Sequence, residues 1–196
     1  MTSQEDFLER LIKKLDEQNI PYMLSGSISS SLHGQPRATN GADIVIAPAE
    51  EQLIAFLKSL GDDYYVNPDA ARDAFKSNSV FNVIDIQNSW KADLIIRKNR
   101  PFSREEFQRR QKANIMGLDA WVVSPEDVIL SKLEWAKNSK SSQQFQNALG
   151  VATVQYERLD RDYMYKWAKE LQVESSLERL LKQAKEQLNS GQKKFE

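Results

Sequence analysis

The chain has 196 residues, 40% of them hydrophobic and 28% charged, a net charge of −1, no cysteine and a single histidine, His33. That length suits one sizeable core, or one domain with a smaller appendage, and the near-zero charge gives no global footprint for nucleic acid or an anionic membrane. Absent cysteine excludes disulfides, thiolate zinc sites and a cysteine nucleophile, and one histidine gives little support for histidine zinc sites or a serine triad.

Residues 3–18 read as an amphipathic helix, with Ser3 and Asp6 as a capping pair and Phe7, Leu8, Leu11, Ile12 and Leu15 on one face. A short apolar strand, Tyr22 to Leu24, then enters a Gly-Ser turn at Gly26 and Ser27 and a small-residue helix that ends at Gly34. A strand that passes through such a turn into a helix N-terminus leaves several backbone N–H groups to converge on an anion, which makes this stretch a phosphate seat. The plainer alternative is a tight turn with a helix cap. His33, beside Gly34, reads as part of a C-terminal cap.

A basic loop follows, in which Arg37 either contacts a triphosphate or is simply solvated. The next strand, Asp43 to Ile46, starts with a carboxylate; if it neighbours the first strand, Asp43 can hold a metal within reach of a phosphate at Gly26 and Ser27. Pro48 is placed as a first-turn proline of a helix carrying Leu53, Ile54, Phe56, Leu57 and Leu60, stopped by Gly61, and a shorter helix is expected near Ala70 to Phe75.

Residues 79 to 97 read as a hairpin joined by Gln87, Asn88 and Ser89, a register that sets Asp85 and Asp93 on one face. A carboxylate in a strand of Leu and Ile needs a partner, and the alternative to a site role for Asp93 is an ion pair with an arginine. Ser103 and Glu106 suggest a helix cap, IMGLDAWVV a second hairpin, and Ser124-Pro125-Glu126-Asp127 a strong helix start. Val128, Ile129, Leu130, Leu133 and Trp135 continue that helix, and further helices are expected at about 141–154, after Asp160, and from Ser175 to Leu188. The basic run Arg97, Lys98, Arg100, Arg104, Arg109, Arg110 and Lys112 reads either as steering for an anion or as a solvated helix face.

Gly26, Ser27, Asp43 and Asp93 together resemble the core motif of the nucleotidyltransferase superfamily: Gly-Ser, a helical spacer, two carboxylates one residue apart, and a third carboxylate on a later strand. Gly41 stands where the first carboxylate is expected. The stretches SPEDVILSKLEWAK and QNALGVATVQYERLDRDYMYKWAKEL are similar to the tail of AbiEii-like nucleotidyltransferases, some of which are toxins of toxin–antitoxin pairs. There the resemblance implies a phosphate-holding lysine, matched by Lys132, and an aspartate, which is Asn147 here.

The expected fold is therefore α/β (α+β): a mixed nucleotidyltransferase-like sheet flanked by helices over 1–123, followed by a helical region over 124–196 packed on it. The resemblance implies Mg2+ held by Asp43 and Asp93, a nucleoside triphosphate bound through Gly26, Ser27, Arg37 and Lys132, and transfer of a nucleoside monophosphate to a hydroxyl acceptor such as a protein or tRNA. Asp85 is the candidate to compensate for Gly41. The competing expectation is a catalytically degenerate member that binds a nucleotide or a protein. With no apolar run near the ~20 residues that span a bilayer, and charged residues at its start, the chain is expected to be cytoplasmic and free of membrane contact.

Overall fold

The computed structural model describes residues 3–34, 41–115 and 117–192. They form two compact units, one of residues 3–28 and 41–123, the other of 29–34 and 124–192. Among the described residues no helix is long and apolar enough to cross a membrane.

The first unit is built on a mixed seven-stranded sheet of order β3-β4-β5-β2-β1-β7-β6. Its strands are β1 (Tyr22–Leu24), β2 (Gly41–Ile46), β3 (Tyr64–Tyr65), β4 (Val80–Asp85), β5 (Lys91–Ile96), β6 (Gln111–Ile115) and β7 (Leu118–Val122). Alternation decides what each face does. Ala42, Ile44 and Ile46 of β2 and Ala92, Leu94 and Ile96 of β5 are buried, whereas Asp43 and Asp93 lie on the opposite, partly exposed face.

Helix α1 (Gln4–Glu17) starts at the expected capping box, where Ser3 Oγ accepts from Asp6 N at 3.1 Å and Asp6 Oδ2 accepts from Ser3 N at 2.8 Å. Its apolar stripe, Phe7 to Leu15, is buried, and the helix packs on β7 and on α3 (Glu50–Ser59). Helix α2 (Gly26–His33) takes Gly26 and Ser27 into its first turn rather than leaving them in a preceding turn. Pro48 lies one residue before the α3 N-cap, Ala49, so it precedes the helix instead of opening it. Helix α4 (Pro68–Ser77) is longer than expected because Asn67 caps it and Pro68 fits its first turn. Helix α5 (Pro101–Gln108) likewise begins at a proline, which leaves Ser103 and Glu106 buried inside the helix and not at its cap.

The β4–β5 hairpin corrects one expectation. Asn82 pairs with Asp93 and Ile84 with Lys91, while Asp85 N donates to Trp90 O at 2.8 Å. The loop is thus one residue longer than Gln87, Asn88 and Ser89, and a one-residue slip turns the strand over. Asp85 therefore sits on the buried Phe81 and Val83 face, away from Asp93.

The second unit is helical: α6 (Pro125–Ser139), α7 (Ser142–Gln155), α8 (Arg161–Leu171) and α9 (Glu174–Gln192), with the end of α2. Ser124 and Asp160 cap α6 and α8 through their side chains. Helix α7 packs on α6 and α9, and α8 packs on the same two. The core holds Val128, Ile129, Leu133, Leu149, Met164, Trp167 and Leu177. Trp135 falls off this stripe and is 56% exposed.

Candidate functional site

At the end of β1 the chain is held to β2 by Ser25 N, which donates to Asp43 O at 2.9 Å. Gly26 follows with φ +59°, and a Cβ added to it would lie 1.9 Å from Asp43 Oδ2 and 2.5 Å from its Cγ. Two separate demands thus fall on this residue, a left-handed backbone and a carboxylate laid against its Cα. The amides of the α2 first turn have no acceptor within the helix, and Ser27 in that turn is exposed. A helix N-terminus and a carboxylate are thereby brought to the same edge of the sheet.

Strands β2 and β5 are parallel neighbours, with Asp43 beside Asp93 and Gly41 beside Lys91. Neighbouring strands run roughly 4.8 Å apart, and residues in register point to the same face. The structure thus brings Asp43 and Asp93 side by side, with Lys91 beside Gly41. Lys91 Nζ lies 3.0 Å from Asp93 Oδ1, and their side chains are 46% and 31% exposed. Asn82 Nδ2, from β4, donates to the same oxygen. Asp93 is therefore ion-paired with a lysine two residues away on its own strand, not with the arginine named in the alternative reading.

Lys91 and Asn82 went unread in the sequence. A signal for Lys91 was present, since it precedes Asp93 by two residues as Gly41 precedes Asp43; only the strand register shows that the two pairs align. Among the described residues no group of three or more acidic or histidine side chains is placed to hold a metal. Two adjacent carboxylates offer hard oxygen donors that suit one magnesium ion. With no donor side chain at Gly41 and an ammonium in the same row, the set does not fit two ions.

Asp85 belongs to a different environment. Its Oδ2 accepts from Arg10 Nη2 at 2.7 Å, and its Oδ1 from Gln87 N and Asn88 N, each at 2.9 Å. Burial alone would raise its pKa, but the hydrogen bonds from Asn88 and Gln87 and the charge of Arg10 together hold the carboxyl below its ordinary value. It closes a turn and does not replace a carboxylate at Gly41.

Arg37 lies outside the described residues. Several members of the basic run stack on aromatic rings: the Arg110 guanidinium is 4.4 Å from the Phe107 centroid and 5.0 Å from that of Trp121, and Lys112 Nζ is 5.3 Å from Trp121. Burial, and then the charge of Arg97, push the Arg110 pKa down.

In the helical unit Lys132 is buried, and its Nζ donates to Gln144 Oε1 at 3.3 Å. Asn147 Oδ1 accepts from Gln143 Nε2 at 3.0 Å. A partly buried network ties α6 to α8: Ser124 Oγ donates to Asp127 Oδ2 at 2.7 Å, Tyr163 OH donates to Asp127 Oδ1 at 2.5 Å, and Asp160 N donates to Glu126 Oε1 at 3.1 Å.

No protein-family model matches this chain, and no curated protein matches it. Solved structures do. An antigenic nucleotidyltransferase-like protein from Paracoccidioides brasiliensis is 16% identical with a TM-score of 0.55, over 91% of this chain and 92% of that one. ANT(2″)-Ia in complex with adenylyl-2″-tobramycin is 14% identical with a TM-score of 0.53, over 95% and 99%. The lincosamide antibiotic adenylyltransferase LnuA, bound to lincomycin, is 14% identical with a TM-score of 0.51, over 79% and 98%. What these likenesses establish is architecture: the chain has the nucleotidyltransferase-like fold, a mixed α/β sheet flanked by helices with a helical region after it.

Proposed function

We propose that the α/β unit binds a nucleoside triphosphate and transfers a nucleoside monophosphate from it to a hydroxyl acceptor. One observation carries the reading: Gly26 opens α2 directly over the Asp43 carboxylate, and Asp93 stands beside Asp43 in register. Amides of the α2 first turn and the Ser27 hydroxyl donate to phosphate oxygens. Asp43 and Asp93 are the catalytic residues of this reading and the ligands of a single magnesium ion. When bound, that ion neutralises phosphate charge and fixes the triphosphate for attack on its α-phosphorus. The acceptor hydroxyl oxygen forms the new bond to phosphorus and gives up its proton to solvent, and the bond to the leaving pyrophosphate breaks. No step is assigned to a further ion, because Gly41 has no side-chain donor and Lys91 adds an ammonium.

The second reading, a nucleotide-binding module without turnover, is favoured by that same Gly41 and Lys91 pair. The acceptors to supply are a protein, a tRNA, a small molecule or an antibiotic.

Calorimetric titration with each of the four nucleoside triphosphates and magnesium, beside Asp43→Asn, tests the site. Binding that weakens about tenfold or more in the variant is the expected result, consistent with losing a charged ligand. Absence of binding by both proteins sinks the nucleotide reading. The phosphate role implied for Lys132 is checked in the same titration with Lys132→Ala. Release of pyrophosphate, measured with these acceptors present, separates transfer from binding alone.

A further inference from the structure

Gly41 needs no glycine for backbone reasons. It lacks a positive φ, and among the described residues a Cβ there would meet only Lys91 O at 3.4 Å, an ordinary contact. The rows across the two strands read Gly41 beside Lys91 and Asp43 beside Asp93. Two carboxylates in adjacent strands repel one another unless a cation stands near. The Lys91 ammonium, 3.0 Å from Asp93 Oδ1, is one such cation. Its side chain is 46% exposed and lies on the same partly exposed sheet face as Asp43 and Asp93. An ammonium carries three donors and a compact charge, a good match to the oxygens of a triphosphate tail.

Resting on the nucleotide reading above, we propose that the Lys91 ammonium serves as a built-in cation beside the single magnesium ion. The ammonium contacts the terminal phosphates of the bound triphosphate, so the site keeps part of its affinity when no divalent ion is present. Asn82, which donates to the same Asp93 oxygen, keeps that carboxylate in place when the ammonium turns toward phosphate.

The test is nucleotide titration by calorimetry in magnesium and again in EDTA, with the unaltered protein, Lys91→Met and Lys91→Arg, using ATP, GTP, CTP and UTP in parallel. The unaltered protein is expected to bind in EDTA. Lys91→Met should weaken that metal-free binding about tenfold or more, the size of one charge-assisted hydrogen bond, while losing only about threefold in magnesium. Lys91→Arg should recover most of the metal-free affinity. Matching thermal melts of the three proteins would separate these changes from misfolding. Binding of the unaltered protein in magnesium but not in EDTA, or equal metal-free affinity in Lys91→Met, overturns the proposal and leaves the nucleotide site standing. Binding in neither medium overturns the nucleotide reading, and this proposal falls with it.

Discussion

Asp85 and Asp93 lie on the two strands of one hairpin, and their surroundings have little in common. Asp85 is 4% exposed and bonded to Arg10, Gln87 and Asn88. Asp93 has a side chain 31% exposed, with both of its bonds, to Lys91 and Asn82, on a single oxygen. The buried carboxylate is saturated by donors fixed in the turn, so its charge serves the fold. The other is paired with a lysine whose own side chain is 46% exposed. Two aspartates on one hairpin thus differ in role because one residue of loop length puts them on opposite faces.

The comparison is broken most forcefully by Asp85→Ala. Removal leaves the Gln87 and Asn88 amides without their acceptor and Arg10 without its charge partner. Arg10 is 40% exposed, so the loss sits at the low end for a broken buried pair, about 3 kcal/mol. Urea denaturation at neutral pH measures it. The pH dependence follows from the lowered pKa of Asp85. Its contribution is present above the unfolded value of about 3.9 and is lost as pH falls through the lower folded value. Denaturation midpoints of the unaltered protein should therefore drop more steeply below about pH 4 than those of Asp85→Ala. Parallel acid limbs would show that the socket contributes nothing through charge.

Next in size is Gly26→Ala. The added methyl group collides with Asp43, at 1.9 Å from Oδ2, and the backbone must hold φ +59°. A cost of about 2 kcal/mol in stability is expected, together with loss of nucleotide binding as Asp43 is pushed aside. A variant of full stability and full nucleotide affinity would mean that the close approach at Gly26 does not shape the site.

Much of this arrangement was legible in the sequence, for reasons that can be traced to particular residues. Ser3 with Asp6, Ser124 before Pro125, and Asp160 announced helix starts because capping is local chemistry. The strand ending at Leu24 and the glycine after it were visible because apolar runs and turn residues sit next to each other in the chain. Strand register was not legible. The face of Asp85 depended on whether the loop held three or four residues, and the alignment of Gly41 with Lys91 depended on a parallel pairing of strands 50 positions apart. The helix starts at Pro68 and Pro101 were missed in favour of weaker signals downstream, although proline at a first helical position is itself local.

Asp93→Asn should cost under ~1 kcal/mol of stability, because the ion pair it dissolves is exposed on both sides. A larger loss would place Asp93 with Asp85 as a structural carboxylate. The smallest change in stability is expected of Gly41→Asp. Among the described residues the new Cβ meets only Lys91 O at 3.4 Å, and glycine inside a strand is entropically unfavourable, so stability should stay within ~0.5 kcal/mol. The effect on metal binding runs the other way. A third carboxylate beside Lys91 and Asp43 competes with Asp93 for the ammonium and adds an oxygen donor, so Mn2+ should bind about tenfold more tightly, as followed by the loss of the free-ion electron paramagnetic resonance signal. The double variant Gly41→Asp with Lys91→Met should gain more than either change alone, since it supplies the donor and removes the competing charge. Unchanged Mn2+ affinity in both would show that the row of Gly41, Asp43 and their β5 neighbours is not where a cation binds.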